Sequence, residues 1–146
     1  MNIEKLKKEI MDDEGYRNEI YLDHLGYPTV GIGHLITEKD AEHGKPVGTR
    51  VSGERITELF VADTNNAIKD CKKLFDFDNL PEEVQHILIN MMFNLGLTRL
   101  SKFKKFKAAI DAKDWKAASI EGRDSLWYKQ VPNRARRLMD RLQNGT

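Results

Sequence analysis

The sequence predicts a mostly helical α+β chain, and three observations carry that expectation. Apolar residues recur at helical spacing over Ile3–Met11, after Ser52 and after Pro81. β-forming residues instead crowd between Tyr16 and Ile36, interrupted by Asp23, Gly26, Pro28, Gly31 and Gly33. The stretch that follows Pro81 is apolar on nearly every side, which marks a buried helix. The expected arrangement is a small N-terminal lobe with a short antiparallel sheet, a long connecting helix and a helical C-terminal lobe. One domain is expected over residues 1–146. Its small lobe spans about 14–60, its connecting helix about 52–73, and its helical lobe about 74–146 together with helix 1–13.

Each element has a local reason. Asn2 can cap a first helix built on Ile3, Leu6, Ile10 and Met11, with Gly15 as its stop. Ile20, Tyr21, Tyr27, Thr29, Val30 and Ile32 then supply two or three short strands joined by tight turns. Residues 37–51, with Gly44, Pro46 and Gly48, read as loop or short helix. Ser52 caps the connecting helix, whose apolar set is Ile56, Leu59, Phe60, Ala67 and Ile68. Pro81, Glu82 and Glu83 open the core helix with favourable first-turn chemistry, and Gly96 ends it. Shorter helices follow around 103–110, 115–120 and 132–142, with a turn near Trp127.

Composition narrows the function classes. Hydrophobic content of 40% and charged content of 32% describe a globular chain rather than a disordered one. The single Cys71 excludes an internal disulfide, and His24, His34, His43 and His86 lack zinc-ligand spacing. No apolar run approaches the roughly 18–20 residues of a membrane span, and the amphipathic N-terminus is not a signal peptide. Charge is unevenly placed. Residues 1–100 hold 12 Lys and Arg against 18 Asp and Glu, whereas residues 101–146 hold 12 against 5. Arg134, Arg137 and Arg141 recur at helical spacing, as a solvated face or as a contact for an anionic polymer.

Asp12, Asp13 and Glu14 end the first helix, where the negative end of the dipole disfavours acids. A carboxyl group there holds its proton more tightly, the direction that a general acid needs. Asp23 follows nine residues later, close enough along the chain to face Glu14 across a groove. Cleavage of a glycosidic bond needs such a pair, an acid for the leaving oxygen and a base or nucleophile opposite. From spacing alone, a solvated helix terminus is the commoner reading of Glu14, since two acids nine residues apart occur in most proteins. The glycines of Gly31-Ile32-Gly33-His34 do not make a phosphate loop, because the third glycine of G-x-G-x-x-G is missing. Trp115 and Trp127 read as packing residues.

The longer string is more specific. Glu14-Gly15, Asp23, Thr29 and then Val30-Gly31-Ile32-Gly33-His34-Leu35 resemble the phage-type lysozymes, the T-even type in particular. Leu59-Phe60 with Asp63, Asn90-Met91 through Phe93 and Gly96, and Trp127-Tyr128 with Gln130 and Pro132-Asn133-Arg134-Ala135 extend the likeness over most of the chain. The resemblance implies a lysozyme-like fold and a muramidase that cuts the β-1,4 bond between N-acetylmuramic acid and N-acetylglucosamine in peptidoglycan. By resemblance, Glu14 is the general acid, Asp23 the base or water-positioning carboxylate, and Thr29 the hydroxyl that holds the attacking water. Leu35 and Phe93 would line the sugar groove, Arg134 would approach Glu14, and His34 would pair with Asp63. Two substrate-contact positions depart from the family pattern as Phe106 and Glu121, and the loop between His34 and Ser52 is shorter.

The resemblance further implies a monomer without metal or organic cofactor, serving host lysis at the end of phage infection. It would remain in the host cytoplasm until a holin-type pore released it to the wall. The basic C-terminal helices would meet the anionic cell envelope. The competing expectation is a non-catalytic module binding wall polymer or nucleic acid, although the basic third carries no recognisable nucleic-acid docking motif.

Overall fold

The structure is a computed structural model that describes residues 1–144. Among the described residues it forms eight α-helices and one three-stranded antiparallel sheet, the α+β architecture that the periodicities predict. The chain packs into two compact units, one spanning Asn2–Asn65 and the other beginning at Asn66 and including Met1. The first helix and the sheet both lie within the first of these units. The expected end of the helical lobe at residue 146 lies outside the described residues.

The first unit opens with α1 (Ile3–Glu14). Asn2 accepts a bond from the Lys5 N–H at 3.1 Å, a cap worth about 1 kcal/mol. Leu6 and Ile10 are buried, while Met11 is exposed. Gly15 ends the helix at φ +82°, its N–H bonded to the Met11 carbonyl at 2.8 Å. The sheet runs β1 (Arg17–Leu22), β2 (Pro28–Gly31) and β3 (His34–Leu35), in that spatial order. Tyr21 pairs with Thr29 and Leu22 with Pro28, and a bulge displaces the register between Arg17 and Tyr21. Thr29 pairs in turn with Leu35, and Val30 with His34.

The other edge of β1 is covered rather than left open. The Ile20 N–H bonds Thr49 O at 2.9 Å, Gly48 N–H bonds Ile20 O at 2.8 Å, and Val51 N–H bonds Asn18 O at 2.8 Å. Residues 37–51 thus form a loop that returns along the strand. Ile20, Val30 and Leu59 pack as a small core, with Ile36 and Val51 against it.

α2 (Gly53–Leu74) begins as expected at Ser52, whose Oγ accepts the Arg55 N–H at 3.2 Å. It continues into the second unit, where a short 3₁₀ turn leads to α3 (Glu82–Leu95). Val84, Ile87, Leu88, Ile89, Met91, Met92 and Leu95 of α3 are all buried, so the all-round apolar pattern does mark a core helix. α4 (Leu97–Leu100), α5 (Lys104–Asp111), α6 (Trp115–Arg123), α7 (Leu126–Gln130) and α8 (Pro132–Asn144) complete the unit. α6 and α8 approach so closely that a Cβ at Gly122 would overlap Met139 Sδ. Trp127 is buried with its Nε1–H donating to Asn94 Oδ1 at 2.8 Å, whereas Trp115 is only half-buried. Among the described residues no helix is long and apolar enough to cross a membrane.

The expectation of a solvated arginine face is corrected in part here. Arg134 is buried, its Nε donating to Asn90 Oδ1 at 2.8 Å, and Arg141 is half-buried and paired with Glu83. Both partners lie on α3, so Arg134 and Arg141 are turned toward a neighbouring helix, whereas Arg137 between them is exposed. Phe106, which departs from the family pattern, is 1% exposed and meets Phe103 edge-to-face at 6.3 Å, so it packs in the core.

Candidate functional site

The site begins with two glycines that hold the chain in shapes other residues resist. Gly33, at φ +66°, turns the chain between β2 and β3, and a Cβ there would lie 2.5 Å from Glu14 Oε1. The Glu14 carboxyl group therefore sits directly against the Gly33 backbone, at a place only a residue without a side chain leaves open. Gly26, at φ +86°, closes the turn that carries Asp23. Its N–H donates to Asp23 O at 2.9 Å.

Asp23 staples this turn. Its Oδ1 accepts the N–H groups of Leu25 and Tyr27, each at 2.9 Å. Its own N–H donates to Tyr27 O at 2.9 Å, and Thr29 Oγ1 donates to the same carbonyl at 2.9 Å. One carboxylate oxygen is thereby fixed by the backbone, which orients the other. Thr29 is buried, and with its proton committed to Tyr27 O its hydroxyl oxygen can act as an acceptor.

Tyr21 links these residues. It is Thr29's cross-strand partner, and the Arg17 guanidinium stacks over its ring at 4.3 Å. Burial raises the proton affinity of its phenol; Arg17 opposes this, and the charges of Glu14 and Asp23 add to it. Both carboxylates thus act on one side chain across the strand from Thr29. Glu14, Asp23 and Thr29 all lie within the first unit, Glu14 against Gly33 and the other two on the Tyr27 carbonyl.

The remaining expected residues are distributed. Leu35 is half-exposed beside Thr29. Phe93, half-buried on α3, and Arg134 belong to the second unit. Glu121 is half-buried on α6. His34 is bonded through both ring nitrogens, each donating to a carboxylate when the imidazole is protonated: Nδ1 meets Asp63 Oδ2 at 2.7 Å, and Nε2 meets Asp40 Oδ2 at 2.8 Å. Asp63 has the role the resemblance implies, but Asp40 was not anticipated. Nor was the fork of Arg55 on the buried Glu42, with bonds of 2.9 and 3.1 Å that pin the loop to α2. The Arg55 bonds hold the Glu42 carboxyl below its ordinary range.

The pair around His34 makes stability depend on pH. Burial lowers the imidazole's proton affinity, but hydrogen bonds and charge from Asp63 and Asp40 outweigh it and bring the pKa from 6.5 to about 8. A raised histidine pKa contributes fully below 6.5 and loses its contribution as pH rises through about 8. Asp40 acts oppositely: burial raises its pKa, but bonds from Thr37 and His34 and the His34 charge hold it below normal. Its contribution is lost only as acid protonates it. The unfolding free energy should therefore fall by about 2 kcal/mol between pH 6 and pH 9. Denaturant titrations at those two values would show this loss in the natural chain and not in His34→Gln. An equal loss in both would remove His34 as its source.

The model of the phage lysozyme family matches residues 11–144. The chain is similar to the pre-baseplate central spike protein Gp5 of Enterobacteria phage T4, 36% identical over 145 residues that cover 86% of this chain and 25% of that protein. It is 32% identical over 164 residues to the probable T4-type lysozyme 2 of Dictyostelium discoideum, covering 99% of this chain and 96% of that one. It is 31% identical over 137 residues to the peptidoglycan hydrolase gp36 of Pseudomonas phage phiKMV, covering 93% of this chain and 15% of that one. The chain thus spans about a quarter of the spike protein, a smaller part of gp36 and nearly all of the Dictyostelium protein.

Proposed function

The chain belongs to the phage lysozyme family, and from that premise we propose that it is a muramidase using Glu14 and Asp23 on peptidoglycan. The bond cut is the β-1,4 link between N-acetylmuramic acid and N-acetylglucosamine. Glu14 protonates the leaving glycosidic oxygen as the C–O bond breaks. Asp23 orients or deprotonates the water that attacks the anomeric carbon, and the Thr29 hydroxyl helps hold that water. Leu35 and Phe93 contact the sugars, while Arg134, His34 and Asp63 support the site.

The observation that carries this reading is the contact of Glu14 with Gly33, on the same sheet that fixes Asp23 and Thr29. No metal or organic cofactor takes part in the proposed reaction, and the chain acts as a monomer. Its role is host lysis at the end of phage infection, after residence in the host cytoplasm and passage through a holin-type pore. Exposed Lys102, Lys104, Lys105 and Arg136, rather than Arg134 or Arg141, would meet an anionic envelope.

The test is product identity. Purified peptidoglycan digested by the chain should yield new reducing ends that, after borohydride reduction, are muramitol. Glucosaminitol in its place would mean cleavage of the other glycosidic bond. Wall binding without any new ends would mean a non-catalytic module.

A further inference from the structure

Tyr27 is 54% exposed, yet its backbone is held by the two residues placed at the reacting bond. Its N–H donates to Asp23 Oδ1, and its carbonyl accepts from both Asp23 N–H and Thr29 Oγ1. The position of its Cα is therefore set by Asp23 and Thr29 themselves. Any shift of the turn would move the aromatic ring and the candidate catalytic groups together.

Strand alternation decides which way the side chain leaves. Tyr21 pairs with Thr29 and Thr29 with Leu35, so these three share one face of the sheet. Asp23 and Tyr27 stand just beyond the strand ends, two residues beyond Tyr21 and before Thr29. They are bonded to each other through the Asp23 N–H and the Tyr27 carbonyl, so the alternation carried one step further sets them on the same face. Leu35 on that face is 49% exposed, while Thr29 between it and Tyr21 is buried, so the apolar surface on this face lies at its ends. Leu22, opposite Pro28, leaves the other face although it is 52% exposed. The hairpin thus exposes Leu22, Leu25 and Tyr27, and continued alternation sets Leu22 and Tyr27 on opposite faces.

A tyrosine ring is a rigid, flat surface with few torsions to lose, suited to contact one apolar ligand face. Pyranose rings present such a face through their axial C–H groups, with hydroxyl groups at the rim. We propose that Tyr27 is a specificity-determining residue whose ring stacks on an N-acetylated pyranose of the glycan strand, next to the bond held by Asp23 and Thr29. The inference rests on the muramidase reading for the identity of its ligand, and it adds a subsite to that reading. Trp115 and Trp127, partly or wholly buried, do not provide this surface.

The probe is a preparation of glycan strands freed of their peptide cross-links. Calorimetric titration into the Glu14→Gln chain reads binding without turnover. Adding Tyr27→Ala should weaken binding about fivefold, and Tyr27→Phe should restore it. Leu22→Ala should leave it unchanged. In chains with Glu14 intact, the same factor should appear in KM, with kcat unaltered. Equal weakening by Tyr27→Ala and Leu22→Ala, or none by Tyr27→Ala, would overturn the inference. Absence of muramic acid ends from the natural chain would instead defeat the muramidase reading, while a Tyr27-dependent affinity would still establish the subsite.

Discussion

Glu14→Gln is expected to fold as the natural chain does and to lose about a thousandfold in the rate of peptidoglycan hydrolysis. The substitution keeps size and shape but leaves an amide that cannot supply an acidic proton to the leaving oxygen. Reducing-end release at matched enzyme concentration measures the loss, with denaturant unfolding to show that both chains are equally folded. A variant within tenfold of the natural rate would remove Glu14 as the acid. Gly33→Ala tests the same group by position. Its Cβ would fall 2.5 Å from Glu14 Oε1 and stand on a left-handed backbone at φ +66°. The carboxyl group must move aside, and a displacement of about 1 Å at a reacting group can cost about a hundredfold. Full activity in Gly33→Ala would show that the contact does not position Glu14.

What the sequence made legible follows physical range. α1, α2 and α3 were readable because their caps and apolar spacing are local, as with Asn2, Ser52 and the breaker Gly96. Glu14, Asp23 and Thr29 were readable because they lie on one continuous stretch whose turns are marked by glycine. The loop network was not. Arg55 meets Glu42 across 13 residues of irregular chain, and no periodicity marks Asp40 as a second partner of His34. The arginines of α8 show a different limit. Helical spacing establishes that Arg134 and Arg141 share a face, but not that α3 lies against it with Asn90 and Glu83. The burial of Phe106 was hidden for the same reason, since a match of position to a relative does not reveal exposure of 1%. Tyr27 was visible as a β-former, yet its exposure and its ties to Asp23 and Thr29 exist only in the folded hairpin.

Asp23 has two roles that a pair of substitutions should separate. As a turn residue it needs only Oδ1, which accepts the N–H groups of Leu25 and Tyr27. As a base or water-orienting group it needs its negative charge. Asp23→Asn retains an oxygen for both turn bonds and removes the charge. It is expected to keep its stability within about 0.5 kcal/mol and to lose about a hundredfold or more in hydrolysis. Asp23→Ala removes both roles. It should lose activity to a similar degree and, in addition, about 1 kcal/mol of stability, limited because the freed N–H groups can reach water. Paired measurements of reducing ends and denaturant midpoints distinguish the cases. If Asp23→Asn hydrolyses peptidoglycan as fast as the natural chain, Asp23 is a turn residue alone and the water must be activated elsewhere. If it is inactive while Asp23→Ala is inactive and also less stable, one carboxylate both builds the hairpin and acts in the reaction. Thr29 and Tyr27 would then be placed by the same group that directs the water.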